Sequence, residues 1–153
     1  MSAQQFPPGM EDETGIFFSS EDVDFKLKNE RRIRKWLQQV IEQAGNSLRL
    51  LNFIFCSDLY LHQLNVEYLD HDTLTDILTF PYAEPPFIEG DIYISIERVR
   101  ENAAEFQTTF ERELARVLVH GVLHLCGYRD ETDEEEMTMR QKEDEALALL
   151  LPK

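Results

Sequence analysis

The feature that most constrains this chain is a short segment near its C-terminal third, His120-Gly121-Val122-Leu123-His124-Leu125-Cys126-Gly127. Two histidines at i and i+4 lie on one face of a helix, so their imidazoles can converge on one ion. Gly127 then ends the helix, because glycine adopts the left-handed conformation after a helix without steric cost. The chain can turn back and bring Asp130 to the same ion. The pattern predicts a metal site made by His120, His124 and Asp130, and three protein ligands are typical of catalytic zinc.

The spacing alone leaves a second interpretation open, in which both histidines are ordinary residues of a helix face and one packs on the core. Cys126 lies two residues after His124 and points to a different face, so we expect a core position for it and not a ligand. One zinc ion is the expected cofactor, although a carboxylate ligand also suits a harder divalent ion such as Mn²⁺. Two neutral imidazoles and one carboxylate leave a divalent site at about +1, so water there should be less acidic than at a three-histidine site.

The ligand spacing also matches the metzincin protease pattern H-E-x-x-H-x-x-G-x-x-H/D. Gly121 occupies the position of the catalytic glutamate in that pattern. A zinc peptidase needs this general base to activate water. We therefore expect a metzincin-like metal-site geometry without peptidase chemistry.

Hydrophobic periodicity and turn residues predict four strands and five helices. The strands are expected near 15–18, 48–55, 75–80 and 91–95, and the helices near 33–44, 57–68, 96–107, 109–126 and 133–150. Helix caps are predicted at Ser57, at Ser95, at Thr108 with Glu111, and at Thr132 with Glu135. The order β-α-β-α-β-β-α-α-α does not alternate strictly. It predicts an α+β fold, with a small mixed four-stranded sheet flanked by about five helices.

Length and composition limit the class of protein. The 153 residues fit one domain over 1–153, with 1–13 as a loose start. The first residues lack the basic and apolar regions of a secretory signal, and no apolar run reaches the length of a membrane span. Two cysteines without a C-x-x-C motif favour a reducing cytoplasm over a disulfide framework.

The charge is strongly acidic, at −15 from 30 acids and 15 bases. This excludes a generally basic nucleic-acid coat and a polybasic membrane binder, but it leaves nucleic acid open as the ligand of a local site. Residues 128–146 hold nine acids and three bases, and we expect that helix to face away from any nucleic-acid ligand or to meet a basic protein. Arg129 is either a phosphate contact or a partner of Glu131. A cationic cluster near the first helix is either a phosphate track or a solvated face; it consists of Lys26, Lys28, Arg31, Arg32, Arg34 and Lys35.

At the histidine segment the sequence resembles the YbeY family of bacterial endoribonucleases, whose hallmark is H-G-x-L-H-L-x-G-Y-D-H. Two further stretches support the resemblance: Leu64-Asn65 with Tyr68 followed by Thr75-Asp76-Ile77-Leu78-Thr79-Phe80-Pro81, and Gly90-Asp91-Ile92. Together these motifs cover residues from about 48 to 150. The positions that match the hallmark are His120, Gly121, Leu123, His124, Leu125, Gly127 and Tyr128.

The resemblance implies a metal-dependent hydrolase that prefers single-stranded RNA. It implies a role in maturing the 3′ end of 16S ribosomal RNA and in ribosome quality control. The implied partners are ribosomal RNA and the small ribosomal subunit, with its proteins or an assembly GTPase as further candidates, and the implied state is a monomer without membrane attachment. For a separate general base it points to Asp76 and Asp91, which are equally explained as strand-end or turn acids.

Two positions depart from the family pattern. Asp130 stands where the family has its third histidine, with Arg129 where an aspartate is usual. Leu69 stands where the family has an arginine after the tyrosine of L-N-x-x-Y. The first change keeps a competent ligand, whereas the second removes a cation that would face phosphate. Leu69 therefore favours an alternative function, a ribosome-assembly binding factor with a structural metal and little nuclease activity.

Overall fold

The computed structural model describes residues 15–69 and 75–150, apart from the side chain of Leu69. The predicted loose segment 1–13 and the predicted effect of Leu69 therefore lie outside the described residues. The elements are β1 (Ile16–Ser20), α1 (Glu30–Gln43), β2 (Ser47–Cys56), α2 (Asp58–Leu69), β3 (Ile77–Pro81), β4 (Phe87–Ser95), α3 (Ile96–Glu105), α4 (Phe110–Leu125) and α5 (Asp133–Leu150). Over the described residues this confirms the α+β class and the predicted order of elements.

The four strands form one mixed sheet in the order β1-β2-β4-β3. β1 pairs parallel with β2, and β2 pairs parallel with β4. β3 lies at the edge and pairs antiparallel with β4. The predicted small mixed sheet is thus confirmed, and its antiparallel edge strand lies next to α4.

Successive side chains of a strand point to opposite faces of the sheet. Apolar residues therefore lie on both faces, and helices cover both. On one face Phe53, Ile92 and Ile94 join the main core, which also contains the buried sides of α1, α3, α4 and α5. On the other face Leu78 and Cys56 pack with Leu61 of α2. The helix that bears the two histidines therefore belongs to the four-helix side of the sheet.

α4 approaches the sheet closely at Gly121. A Cβ atom added to Gly121 would lie 2.9 Å from the Cδ1 atoms of both Ile77 and Ile92. The missing side chain lets the helix backbone rest against β3 and β4 between the two histidine positions. The position that holds glutamate in metzincins thus faces the sheet in this protein, and the geometry agrees with the absence of that base.

Most helix starts follow the predicted caps. Ser57 accepts a hydrogen bond from the backbone N–H of Tyr60, and Ser95 accepts one from Arg98. At α5 the Thr132 hydroxyl accepts from the Glu135 backbone N–H at 3.0 Å, while the Glu135 carboxylate accepts from the Thr132 N–H at 3.1 Å. These reciprocal bonds form the predicted capping box.

Several boundaries differ by two or three residues from the predicted ones, since β1 extends to Ser20, α1 begins at Glu30 and β3 begins at Ile77. Two further predictions, the cap of α4 and the start of β4, are wrong. The cap of α4 is Thr109 and not Thr108, since the Thr109 hydroxyl accepts from the Arg112 backbone N–H. Adjacent threonines offer the same cap chemistry, and backbone geometry selects the second. β4 begins at Phe87 and not at Asp91, because its first residues pair with β2 from Ser47 onward. None of the helices in the described residues is long and apolar enough to span a bilayer.

Candidate metal centre

Three side chains place one ligand atom each around a common point. The Oδ2 atom of Asp130 lies 3.4 Å from Nε2 of His120 and 3.4 Å from Nε2 of His124. Two ligands bound at ~2.0–2.1 Å in tetrahedral geometry are ~3.3–3.4 Å apart, so these spacings suit one small divalent ion. Among the described residues, this is the only group of three or more histidine, cysteine or acidic side chains with spacing suited to one ion. The donor set of two imidazoles and one carboxylate therefore fits the predicted ion.

The turn after α4 fixes the ring of His124. Gly127 has φ of +107°, and its N–H donates to the His124 carbonyl at 3.0 Å while the Tyr128 N–H donates to the Leu123 carbonyl at 3.0 Å. These two bonds make a Schellman motif. The turn also brings the Tyr128 carbonyl to 3.0 Å from Nδ1 of His124. Because a carbonyl can only accept, Nδ1 carries the proton and Nε2 keeps its lone pair for a metal.

The ring of His120 is fixed by a buried carboxylate on another helix. Nδ1 of His120 lies 2.6 Å from Oε2 of Glu143 in α5, and Glu143 also accepts from Nη1 of Arg116 at 2.9 Å. Burial raises the pKa of Glu143, but the hydrogen bonds and charges of His120 and Arg116 outweigh it, and its pKa is lowered. The ionised carboxylate accepts a hydrogen bond from the Nδ1–H of His120, and Nε2 is left directed towards Asp130.

The neighbouring carboxylates also change the pKa of His120. Burial lowers the pKa of His120, but the hydrogen bond and charge of Glu143, with the charge of Asp130, outweigh burial, so its pKa is raised. A proton and a metal ion compete for the same nitrogen. The carboxylates that favour a proton on His120 favour a divalent cation at that position for the same electrostatic reason.

Glu143 is a residue that sequence reasoning missed. The spacing of the sequence held a signal, because Glu143 falls at i+4 in a helical stripe of otherwise apolar residues that the structure buries: Met139, Ala146, Leu147 and Leu150. An acid on an apolar helix face has to find a partner, since an unpaired buried charge is costly. α5 belongs to the acidic segment, and through Glu143 it supports the ring of His120.

The centre opens into a cleft of about 970 Å³ between β3, the 81–85 connection and helices α3, α4 and α5. Asp76 lines this cleft and accepts a hydrogen bond from Asn102 at 3.2 Å. Burial raises the pKa of Asp76. Because side chains alternate along β4, Asp91 instead lies on the face of the sheet that α2 covers. There it accepts hydrogen bonds from the Asn52 amide and the Tyr82 hydroxyl. Of the two acids suggested by resemblance, only Asp76 shares the cleft with His120.

The other residues singled out from the sequence lie elsewhere. Cys126 is partly buried against the main core, as expected, and burial raises its pKa to about 11. Arg129 pairs with Glu131 at 2.8 Å. None of the six clustered cations lines the described cleft; Lys26, Lys28 and Arg32 instead border a separate pocket of about 400 Å³. The structure does not place a phosphate track of these cations beside the metal centre.

Comparison with known proteins identifies the family of the chain. Residues 17–150 match the family model described as Endoribonuclease YbeY. Curated relatives named Endoribonuclease YbeY include those of Flavobacterium psychrophilum, 52% identical over 84% of this chain and 91% of the relative, and Cytophaga hutchinsonii, 50% identical over 92% and 98%. The solution structure of TM1509 from Thermotoga maritima is 31% identical, with a TM-score of 0.64 over 88% of each chain. On this evidence, the chain belongs to the endoribonuclease YbeY family.

Proposed function

We propose that this chain is a metal-dependent endoribonuclease, a hydrolase of RNA phosphodiester bonds, folded as a single domain over 1–153. The observation that supports it most directly is the position of Asp130 Oδ2, 3.4 Å from Nε2 of both His120 and His124. The names of its curated relatives support the reaction class.

The chemistry of the site follows from these residues. His120, His124 and Asp130 would hold one ion, with zinc as the first candidate and Mn²⁺ as a second. When bound, a divalent ion supplies Lewis acidity, which activates water and stabilises charge on a phosphoryl oxygen. Glu143 and the Tyr128 carbonyl accept hydrogen bonds from the Nδ1–H groups of His120 and His124, so both rings keep the orientation that the ligand set requires.

Asp76 is the acid that we propose for proton transfer. It lines the same cleft, it is oriented by Asn102, and burial raises its pKa towards the range that suits a general base. The natural substrate we propose is ribosomal RNA, with 3′-end maturation of 16S RNA in the cytoplasm as the role, in a monomer that works with the small ribosomal subunit.

The test is cleavage of end-labelled single-stranded RNA by protein of known metal content. Purified protein should retain one divalent ion per chain and should cut single strands faster than duplex. Removal of the ion by a chelator should abolish cleavage, and addition of zinc or manganese should restore it. His124→Ala should remain inactive after metal addition, with folding checked by circular dichroism.

The alternative function, a ribosome-assembly binding factor with a structural metal, is favoured by one residue, Leu69. It predicts that one ion per chain stabilises the fold. It also predicts that the protein binds the small ribosomal subunit but does not cleave RNA. Metal-stimulated cleavage that His124→Ala abolishes would exclude it. Tight ribosome binding without cleavage at any metal concentration would exclude the nuclease.

A further inference from the structure

The cleft beside the candidate metal centre contains an exposed aromatic ring that the core does not use. Phe106 follows α3, lines the cleft and is 59% exposed. A single exposed apolar residue is ordinary on a protein surface. Phe106 differs from such residues because it shares one cavity with His120, His124 and Asp130.

The backbone holds this phenylalanine in a fixed position. The Phe106 N–H donates to the Asn102 carbonyl at 2.9 Å, and the Thr108 N–H donates to the Ala103 carbonyl at 2.9 Å. Gln107 has φ of +56° and ends the helix directly after Phe106. Phe106 is therefore placed by a helix end and not by a long loop, which suits a preorganised platform.

The cleft also contains one arginine that is available to an anion. Arg116 is committed to Glu113 and Glu143, at 3.6 Å and 2.9 Å. Arg140 also forms an ion pair with Glu143, at 3.7 Å from its Nε, but its side chain is 68% exposed, so its guanidinium can also meet a phosphate from the solvent side. In the described part of the chain these are the two arginines among the residues that line the cleft, against five carboxylates: Asp76, Glu84, Glu113, Asp130 and Glu143.

Resting on the proposed endoribonuclease function, we propose that the cleft binds one unpaired nucleotide, with its base stacked on Phe106 and a neighbouring phosphate paired with Arg140. An aromatic side chain can stack only on a base that has left a helix, so this contact selects single-stranded RNA over duplex. Stacking also binds without adding positive charge, which suits a chain with a net charge of −15. Arg140 supplies the cation that fixes the backbone beside the centre.

The binding test uses metal-loaded protein and a short single-stranded phosphorothioate RNA, which resists cleavage and contains one 2-aminopurine. Stacking quenches 2-aminopurine fluorescence, so wild-type protein should give a saturable decrease. Phe106→Ala should weaken binding by roughly 5- to 100-fold, Phe106→Leu should do the same, and Phe106→Trp should restore affinity. Phe87→Ala is the control, because Phe87 is also exposed but does not line the cleft.

These variants separate stacking from folding. If Phe106→Leu binds like wild type, apolar packing suffices and stacking is overturned. If Phe106→Ala keeps wild-type affinity, the platform is overturned altogether. Thermal unfolding of each variant identifies any loss of structure, and rescue by Phe106→Trp tests the role of the ring independently of the alanine variant.

The phosphate contact has its own readout. Arg140→Ala should reduce the slope of log affinity against log salt concentration by about 0.7, the value for one phosphate of a single strand. Lys142→Ala is the matched control on the same helix, because Lys142 pairs with Glu145 and does not line the cleft. A slope that is unchanged in Arg140→Ala would overturn this contact.

Cleavage assays distinguish this inference from the function on which it rests. If wild-type protein cleaves single-stranded RNA and Phe106→Ala has the same kcat/KM, the stacking site fails while the nuclease stands. If wild-type protein binds RNA through Phe106 but never cleaves it, the nuclease fails while the stacking site stands. Increased KM with nearly unchanged kcat in Phe106→Ala would support both.

Discussion

The two histidines of the candidate metal centre lie one turn apart on α4 but are supported in different ways. His120 is held by Glu143, a buried side chain on another helix, at 2.6 Å. His124 is held by a backbone carbonyl of Tyr128 only four residues further along the chain, at 3.0 Å. One support is an ionic side-chain network across the core, and the other is a local backbone turn. Single substitutions can therefore disturb either support separately.

The largest effect is expected at Glu143. Glu143→Ala should lower metal affinity by about 10- to 100-fold, because His120 loses the acceptor that orients its ring. It should also lower the free energy of unfolding by roughly 3 kcal/mol, since Arg116 loses a buried partner. Competition with a metal-binding dye and denaturant unfolding measure the two effects. Glu145→Ala is the control on the same helix, and equal metal affinity in the two variants would show that Glu143 does not support the site.

A substitution in the turn that supports His124 should have a smaller effect than Glu143→Ala, and it should act mainly by straining the backbone. Gly127→Ala should cost about 1–2 kcal/mol of unfolding free energy, because φ of +107° is strained for a residue with a Cβ atom. The nearest atom to that Cβ would be 3.6 Å away on Pro85, so a steric clash contributes little. Metal affinity should fall less than in Glu143→Ala, and a larger fall would reverse the proposed ranking of the supports.

The end of α3 provides a comparison for this turn, because Gln107 occupies the corresponding position with φ of +56°. Gln107→Gly should therefore stabilise the protein, by less than about 1 kcal/mol, since glycine removes the strain but adds chain entropy in the unfolded state. Denaturant unfolding should show that Gly127→Ala lowers the free energy of unfolding and that Gln107→Gly raises it. Destabilisation by Gln107→Gly would mean that the glutamine side chain contributes more than its backbone conformation costs.

The two cleft carboxylates Glu143 and Asp76 should give opposite pH dependences. The pKa of Glu143 is lowered from 4.5, so its stabilising effect is complete above 4.5 and is lost as the pH falls through its folded value. Burial raises the pKa of Asp76 from 3.8, so its charge destabilises the fold progressively as the pH rises above 3.8. At neutral pH Asp76→Asn should raise the melting temperature while Glu143→Gln lowers it.

The Asp76→Asn difference should shrink as the pH falls towards 3.8. The Glu143→Gln difference should shrink as the pH falls below 4.5 and through the folded pKa of Glu143. Melting curves across pH 3–7 on metal-free protein provide the check. Glu145→Gln serves as an exposed control on α5, because Glu145 pairs with Lys142 and not with Arg116. Asp76→Asn should also reduce RNA cleavage if this acid transfers the proton. A melting temperature that falls at neutral pH in Asp76→Asn would contradict the claim that the charge of Asp76 is buried at a cost to stability.

The parts of the site that could be predicted from the sequence are the local ones. The i, i+4 histidines, the glycine that ends α4 and the Thr132–Glu135 capping box depend on residues within a few positions of each other. Glu143 could not be assigned to His120 in that way, because the two are 23 residues apart and meet only when α5 packs on α4. The start of β4 was missed for a similar reason, since its first residues take their pairing from β2.

The most direct test of the metal centre is a crystal structure of the zinc-loaded protein, with anomalous data collected at the zinc absorption edge. We expect one peak bonded at about 2.0–2.2 Å to Nε2 of His120, Nε2 of His124 and a carboxylate oxygen of Asp130. Glu143 and the Tyr128 carbonyl should still accept hydrogen bonds from the two Nδ1 atoms. No peak under metal-replete conditions, or a zinc ion bound without Asp130, would contradict this expectation.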